Sequence, residues 1–114
     1  MATERERNVQ SRIIKLCRKH GAYTYKNAQG MYTEKGRPDL TACVPIKIKT
    51  LVETFGEDAS IGVFVGIEVK REGHLNGVSE AQEIVGRQIR QASGLWFLVD
   101  DSDVMEAILV RLQK

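Results

Sequence analysis

Hydrophobic residues recur along the chain at two spacings, and these spacings predict alternating helices and strands. Apolar positions three or four residues apart predict helices, whereas alternating or continuous short apolar runs predict strands. The predicted helices cover residues 4–19, a short segment within 45–60, residues 79–93 and a last segment capped by Asp101 or Ser102. Gly56 is the predicted end of the second helix and Gly94 of the third. The predicted strands cover residues 22–26, 39–44, 62–71 and 95–99.

The order of these elements, α-β-β-(insert)-β-α-β-α, predicts an α/β fold. A strand, a helix and a second strand follow one another between residues 62 and 99, and such a unit joins two parallel strands by a right-handed crossover. The apolar run LWFLV at 95–99 is typical of a strand that is buried on both faces. We therefore expect one domain over residues 1–114, with a small mixed β-sheet flanked by helices.

The composition excludes several classes of protein. No apolar run approaches the roughly 20 residues that span a bilayer, and the charged start MATERERNVQ lacks the apolar stretch of a secretory signal. Two cysteines, Cys17 and Cys43, are too few for a disulfide framework or a four-cysteine zinc site. The chain contains no GxxxxGK[ST] loop and no GxGxxG loop after a strand, so no nucleotide cofactor is predicted. We expect a cytoplasmic protein that has no membrane partner.

The net charge of +2 hides an asymmetric distribution of charge. Residues 1–37 contain nine lysines and arginines and three acidic residues, whereas residues 38–114 contain eight and twelve. A basic segment next to an acidic remainder suits a protein that binds a polyanion beside a carboxylate-bound metal ion. A solvated basic helix explains the same charges, so both interpretations stay open at this point.

Two charged residues interrupt the strongest predicted strand. Glu68 and Lys70 are two residues apart in GIEVKRE, so they point to the same face of the strand. A carboxylate and an ammonium group on an apolar strand are costly to bury unless each has a partner or a chemical task. A salt bridge on an edge strand accounts for this pair equally well.

Two further carboxylates are candidates for the same site. Asp39 follows Gly36-Arg37-Pro38, which turns the chain sharply and fixes the point at which the next strand begins. If that strand pairs beside residues 62–71, Asp39 and Glu68 can converge on a hard divalent cation such as Mg²⁺. Glu6 lies on the apolar stripe of the first helix, so we expect it to face the sheet. The alternatives are a turn-capping role for Asp39 and a helix-terminus role for Glu6.

Gln82 also has two possible roles. It completes a Ser79-x-x-Gln82 capping box at the start of the third predicted helix, which explains its presence in structural terms. It also lies one turn into the helix that follows the Glu68 strand, from which its amide can reach metal-bound water or a phosphate.

These motifs together resemble the VRR-NUC form of the PD-(D/E)xK nucleases. The resemblance extends from residue 4 to about residue 100 and includes the helical residue Glu6. It is carried by the segments GRPD at 36–39, GIEVK at 66–70, SEAQ at 79–82 and GRQIRQASG at 86–94. The insert at 45–60 is longer than in compact members of that family.

The resemblance implies a restriction-endonuclease-like core and a DNA endonuclease that depends on Mg²⁺ or Mn²⁺. By this resemblance Asp39, Glu68 and the Val69 carbonyl bind the metal. Lys70 orients or deprotonates the attacking water, and Gln82 and Glu6 complete the site. Such a metal lowers the pKa of bound water and neutralises the phosphate under attack.

The resemblance also implies a DNA partner and an oligomeric state. Stand-alone members resemble homodimeric Holliday-junction resolvases, so we expect a homodimer that acts on branched or junction DNA. The best candidates for DNA-backbone contacts are Lys26, Arg37 and Arg87. The alternatives are a monomeric nuclease for flaps or linear DNA and a non-catalytic DNA-binding module with the nuclease fold.

Overall fold

The structure of the protein is a computed structural model, which describes the backbone of residues 2–114 and the side chains of residues 5–114. Over these residues, four α-helices and four β-strands alternate, with one turn of 3-10 helix at Leu75–Gly77. The elements are α1 (Ala2–Lys19), β1 (Tyr23–Lys26), β2 (Leu40–Cys43), α2 (Ile48–Phe55), β3 (Val65–Val69), α3 (Glu80–Gln91), β4 (Leu95–Val99) and α4 (Ser102–Leu112). The predicted α/β class is confirmed.

The four strands form two sheets rather than the one mixed sheet that the sequence predicts. Strands β1 and β2 pair antiparallel, and strands β3 and β4 pair parallel. The strands are only four or five residues long, and each finds its partner within its own part of the chain. The predicted strand at 62–71 is shortened to five residues. The chain divides into two compact units, Met1–Gly62 and Val63–Lys114.

The first unit packs α1 against the β1–β2 sheet. Gln10, Ile14 and Cys17 are the less exposed residues of α1, and they recur at helical spacing on one face. The helix ends at Gly21, whose φ of 82° is the left-handed conformation that favours glycine. Ala22 and Cys43 are buried beside this helix end.

The insert at 45–60 contains α2, as predicted. The helix ends at Gly56, which has a φ of 86° and donates its backbone N–H to the Val52 carbonyl at 2.7 Å. None of the eight residues of α2 is buried, and Ile48 and Phe55 on its apolar stripe are 78% and 59% exposed. The amphipathic pattern therefore predicts the helix correctly, and the apolar side of the helix is exposed.

The second unit packs α3 onto one face of the parallel β3–β4 sheet. Val65 pairs with Leu95 at one end of the ladder and Val69 with Val99 at the other. Ile89 of α3 is buried, and two glycines, Gly66 and Gly86, allow a close approach to Trp96. Helix α4 is capped by Asp101, one of the two cap residues that the sequence predicts, and packs on β4.

Two predictions for this unit are wrong in detail. Residues 95–98 are half-buried, and in this strand only Val99 is buried, because a two-stranded sheet covers β4 less completely than a larger sheet would. The predicted helix stop, Gly94, does not adopt the left-handed conformation. Ser93 does so with a φ of 69°, and the Gly94 N–H bonds to the Ile89 carbonyl.

The contact between Gly86 and Trp96 gives a prediction about stability. A Cβ atom at Gly86 would lie 2.7 Å, 2.8 Å and 3.0 Å from three atoms of the Trp96 indole, so Gly86→Ala forces the ring or the helix to move. Overpacking costs about 1–3 kcal/mol, and alanine returns about 1 kcal/mol of helix propensity. We expect urea denaturation to show a net loss of stability. Gly62→Ala is the control, because its Cβ would meet no atom within 4 Å. A variant of Gly86 as stable as this control would contradict the packing argument.

Candidate functional site

The β3 strand presents Glu68 and Lys70 on the face that α3 covers. Both side chains are partly buried, with 27% of the Glu68 side chain and 20% of the Lys70 side chain exposed. The alternate residues Ile67 and Val69 point to the opposite face and are 47% and 68% exposed. The predicted two-residue spacing therefore brings the carboxylate and the ammonium group together under a helix.

Gln82 of α3 joins these two side chains in one hydrogen-bonded network. Its Nε2 donates to Glu68 Oε1 at 2.6 Å, and its Oε1 accepts a hydrogen bond from Lys70 Nζ at 2.9 Å. Lys70 Nζ also lies 3.7 Å from Glu68 Oε1, which makes a direct ion pair. The network has no net charge, and it connects the strand to the first turn of α3.

The capping box fixes the orientation of the Gln82 amide. Gln82 Oε1 accepts from the Ser79 backbone N–H at 2.9 Å, and the Ser79 hydroxyl accepts from the Gln82 N–H at 3.1 Å. Because the amide oxygen faces both Ser79 and Lys70, the amide nitrogen is left to donate to Glu68. The two roles that the sequence leaves open for Gln82 are therefore compatible, since its side chain makes both sets of contacts.

Two oxygen-bearing groups of β3, the Glu68 carboxylate and the Val69 carbonyl, are candidate ligands for a cation. Among the described side chains, only Gln82 and Lys70 contact the Glu68 carboxylate, and both contact Oε1. The Lys70 N–H donates to the Val99 carbonyl at 2.9 Å, so residue 70 turns its backbone groups toward β4. Backbone groups alternate between the two edges along a strand, and the Val69 carbonyl therefore points to the edge of β3 away from β4.

Asp39 lies in the first unit, immediately before β2. Its side chain is exposed and forms no hydrogen bond or ion pair with any other described residue. Its backbone carbonyl accepts from the Asn27 N–H at 2.9 Å, which continues the β1–β2 ladder by one position. The carboxylate is thus unpaired, while the backbone that carries it is fixed.

Glu6 does not have the burial that the sequence predicts. It is exposed on α1, and Val9 and Ile13 of the same stripe are each 42% exposed. The face of α1 that packs on the sheet is instead the neighbouring one, with Ile14 at its centre. The helix is therefore rotated away from the orientation that would bury Glu6.

The predicted DNA-binding side chains are all exposed: Lys26 at the end of β1, Arg37 in the loop before β2, and Arg87 on α3. In contrast, Arg90 on α3 is engaged within its own unit, because it lies over the Trp96 ring and donates to the Trp96 carbonyl at 3.1 Å. Cations without an internal partner are the ones that remain available for phosphate groups.

The sequence did not single out Asn27 and Asp100 as functional residues. Asn27 is buried and donates hydrogen bonds to Pro38 and Thr41, on either side of Asp39. Asp100 accepts from the Gly73 N–H at 2.9 Å, and this bond joins the loop after β3 to the end of β4. An asparagine directly after a strand is a turn signal, which is the one indication of its role in the sequence. No pattern in the sequence indicates the bond between Asp100 and Gly73, because the two residues are 27 positions apart.

A preformed cluster of metal ligands is not found within either unit. No group of three or more His, Cys, Asp or Glu side chains in the described part of the chain is arranged to hold a metal ion. The candidate site of the second unit is thus a carboxylate, a lysine and a glutamine. Strand β2 pairs with β1 and β3 pairs with β4, so the predicted pairing that would bring Asp39 beside Glu68 is not observed.

Comparison with protein-family models, with curated proteins and with solved structures gives no match to this chain. The resemblance to VRR-NUC nucleases accordingly rests on the motifs alone. No helix within residues 2–114 is long and apolar enough to cross a membrane.

Proposed function

We propose that this chain is a divalent-metal-dependent DNA endonuclease of the PD-(D/E)xK type, with a restriction-endonuclease-like core. The observation that carries the proposal is the network of Glu68, Lys70 and Gln82 on one face of β3. The capping box accounts for the bonds between Gln82 and Ser79, and the two further bonds from Gln82 hold Glu68 and Lys70 in a fixed relative orientation. Side chains held in this way are pre-organised to act on the same bound group.

The oxygen donors of the chain suit a hard cation. Mg²⁺ prefers oxygen ligands at about 2.1 Å and usually takes one or two carboxylates together with water and substrate phosphate. The Glu68 carboxylate has an oxygen beyond those bonds, the Val69 carbonyl points away from β4, and the Asp39 carboxylate is unpaired. We propose the Glu68 carboxylate and the Val69 carbonyl as metal ligands in the second unit. The resemblance assigns Asp39 and Glu6, which belong to the first unit, to the metal as well. When bound, the metal supplies Lewis-acid polarisation of the phosphate and acidifies a bound water.

The residues of the chain then have distinct tasks. Lys70 holds the attacking water and balances the negative charge that develops on the phosphate oxygens. The water oxygen bonds to phosphorus and loses a proton to a nearby base or to solvent. The bond from phosphorus to the 3′ oxygen breaks, and that oxygen gains a proton. The products are a 5′-phosphate and a 3′-hydroxyl. Gln82 keeps Glu68 and Lys70 in a fixed geometry throughout.

The proposed substrate is branched DNA, bound by a homodimer. Lys26, Arg37 and Arg87 contact phosphates without reading the base sequence, so binding is sensitive to salt. A two-fold symmetric dimer offers two sites to a two-fold symmetric junction. Size-exclusion chromatography with light scattering measures the oligomeric state directly.

A cleavage panel tests the proposed function. Wild-type protein is incubated with a four-way junction, a flap, a splayed arm and linear duplex, each in magnesium, in manganese and in EDTA. We expect cleavage in both metals and none in EDTA, with the junction cut fastest. Ligation of the products without phosphatase or kinase treatment checks the expected 5′-phosphate and 3′-hydroxyl ends.

The same panel distinguishes the alternatives. Cleavage of flaps or linear DNA by a monomer would replace the resolvase-like assignment with that of an end- or flap-specific nuclease. Salt-sensitive DNA binding without cleavage in either metal would identify a non-catalytic binding module and overturn the proposed activity.

A further inference from the structure

Asn27 is a buried polar residue at the end of β1, where the loop that leads to β2 begins. Only 5% of its surface is exposed. Its side-chain nitrogen Nδ2 donates to the Pro38 carbonyl at 2.8 Å and to the Thr41 hydroxyl at 2.8 Å. Its backbone N–H donates to the Asp39 carbonyl at 2.9 Å. Three hydrogen bonds from one residue therefore converge on a four-residue stretch of chain.

These bonds fix the orientation of the Asn27 amide. The Pro38 carbonyl can only accept a hydrogen bond, so it must face the amide nitrogen rather than the amide oxygen. Both hydrogens of the nitrogen are then used, one on each side of Asp39. A buried amide with satisfied donors holds its partners rigidly, because breaking these bonds leaves polar groups unpaired away from water.

The residues that Asn27 contacts surround Asp39 in sequence. Pro38 directly precedes Asp39, and Thr41 lies two positions after it on the same face of the strand. The loop on the other side, residues 28–38, is almost entirely exposed, and its other side-chain hydrogen bonds join Thr33 to Gly30. The position of the Asp39 backbone is therefore set by Asn27 more than by the loop itself.

We infer that Asn27 is a positioning residue for the Asp39 carboxylate. This inference rests on the proposed function, in which Asp39 is a metal ligand. Asn27 does not touch the metal or the DNA, and it acts by holding the start of β2 so that an unpaired carboxylate is presented in one place. A ligand held in place in this way binds a cation without first losing backbone freedom.

A purely structural role for Asn27 makes different predictions. If Asn27 only closes the loop, its replacement lowers the stability of the fold, and activity measured well below the unfolding temperature is unchanged. If Asn27 positions Asp39, its replacement raises the magnesium concentration needed for half-maximal rate and lowers the maximal rate. Binding of Mn²⁺ to the DNA-free protein, followed by electron paramagnetic resonance, is then weakened as well, and DNA binding in EDTA is unaffected.

A double-mutant cycle separates the two roles. Asn27→Ala, Asp39→Ala and the double variant are assayed for junction cleavage over a range of magnesium concentrations. We expect Asn27→Ala to lose about a hundredfold in rate at limiting metal, the scale of effect that misplacement of a catalytic group produces. In the Asp39→Ala background the same change should cost nothing further, because there is no carboxylate left to position. Effects that multiply in the double variant would overturn the inference.

A second pair of variants keeps the test decisive if Asn27→Ala fails to fold. Thr41→Val removes the hydroxyl that is one of the two acceptors of Asn27 Nδ2. Thr33→Val removes a hydroxyl of the preceding loop that donates to the Gly30 carbonyl and does not contact Asn27. We expect Thr41→Val to raise the magnesium requirement and Thr33→Val to leave it unchanged. Equal magnesium dependence in these two variants and the wild type would overturn the inference. Wild-type protein that does not cleave in any metal would instead refute the proposed function on which the inference rests.

Discussion

Glu68→Ala is expected to abolish magnesium-dependent cleavage of junction DNA, with a loss of about a thousandfold or more. The variant removes the carboxylate that we propose as the central metal ligand, and metal-supplied stabilisation of the transition state amounts to several kcal/mol. DNA binding should be unchanged or tighter, because a negative charge is removed from the surface that we propose binds DNA. Initial cleavage rates in magnesium and fluorescence anisotropy in EDTA measure the two effects separately.

The controls for this prediction separate charge from shape. Glu68→Gln keeps the size of the side chain and an oxygen that can accept from Gln82, yet it should be almost as inactive as Glu68→Ala, since the charge is lost. Glu72→Ala removes an exposed carboxylate four residues further along the chain and should cleave normally. Wild-type rates in Glu68→Ala would remove Glu68 from the site. Loss of activity in all three variants would indicate that net charge, not a particular ligand, controls cleavage.

Most of the secondary structure was predictable because it depends on local patterns. The capping box at Ser79 correctly marked the start of α3, and the glycine after Phe55 correctly marked the end of α2. The strand pairing was less predictable, because pairing depends on contacts that are distant in sequence. The end of α3 was also predicted incorrectly, although it depends on local conformation. Ser93 adopts a conformation that favours glycine, and the adjacent Gly94 is buried.

The candidate site was predictable to the extent that it follows a strand period or a helix cap. Alternation along β3 predicts that Glu68 and Lys70 share a face, and the capping box predicts that Gln82 turns back toward the strand. The hydrogen bonds from Gln82 to Glu68 and Lys70 were not predictable in this way, because they depend on how α3 packs on β3. Close packing through Gly66 and Gly86 is what brings the first turn of α3 within hydrogen-bonding distance.

The role of Asn27 illustrates what sequence patterns do not show. An asparagine after a strand predicts a turn but not the partners of its side chain. Here the loop brings Pro38, eleven positions further along the chain, within hydrogen-bonding distance of Asn27. Burial of Glu6 was predicted from its position on an apolar stripe. A stripe specifies the spacing of residues on a helix, but the sheet decides which of two adjacent stripes is covered, and here it covers the one that contains Ile14.

Lys70→Ala is expected to lower the cleavage rate by about a hundredfold to a thousandfold while leaving the magnesium requirement nearly unchanged, the range seen when one stabilising donor is removed. The structure gives a specific reason for this split. Without Lys70, Gln82 Oε1 still accepts from the Ser79 N–H, so Gln82 Nε2 still donates to Glu68 and the carboxylate keeps its orientation. Only the group that we propose to act on water and phosphate is lost.

Measurements of rate against magnesium concentration test this prediction, with Arg71→Ala as the matched control. Arg71 is the next residue, carries the same charge, is exposed and contacts none of the three network side chains. It should therefore retain the wild-type rate and magnesium dependence. A Lys70→Ala variant that loses rate and metal affinity in equal measure would show that Lys70 only supports Glu68. In that case the water-activating group must be sought elsewhere, since no other described lysine or arginine contacts this network.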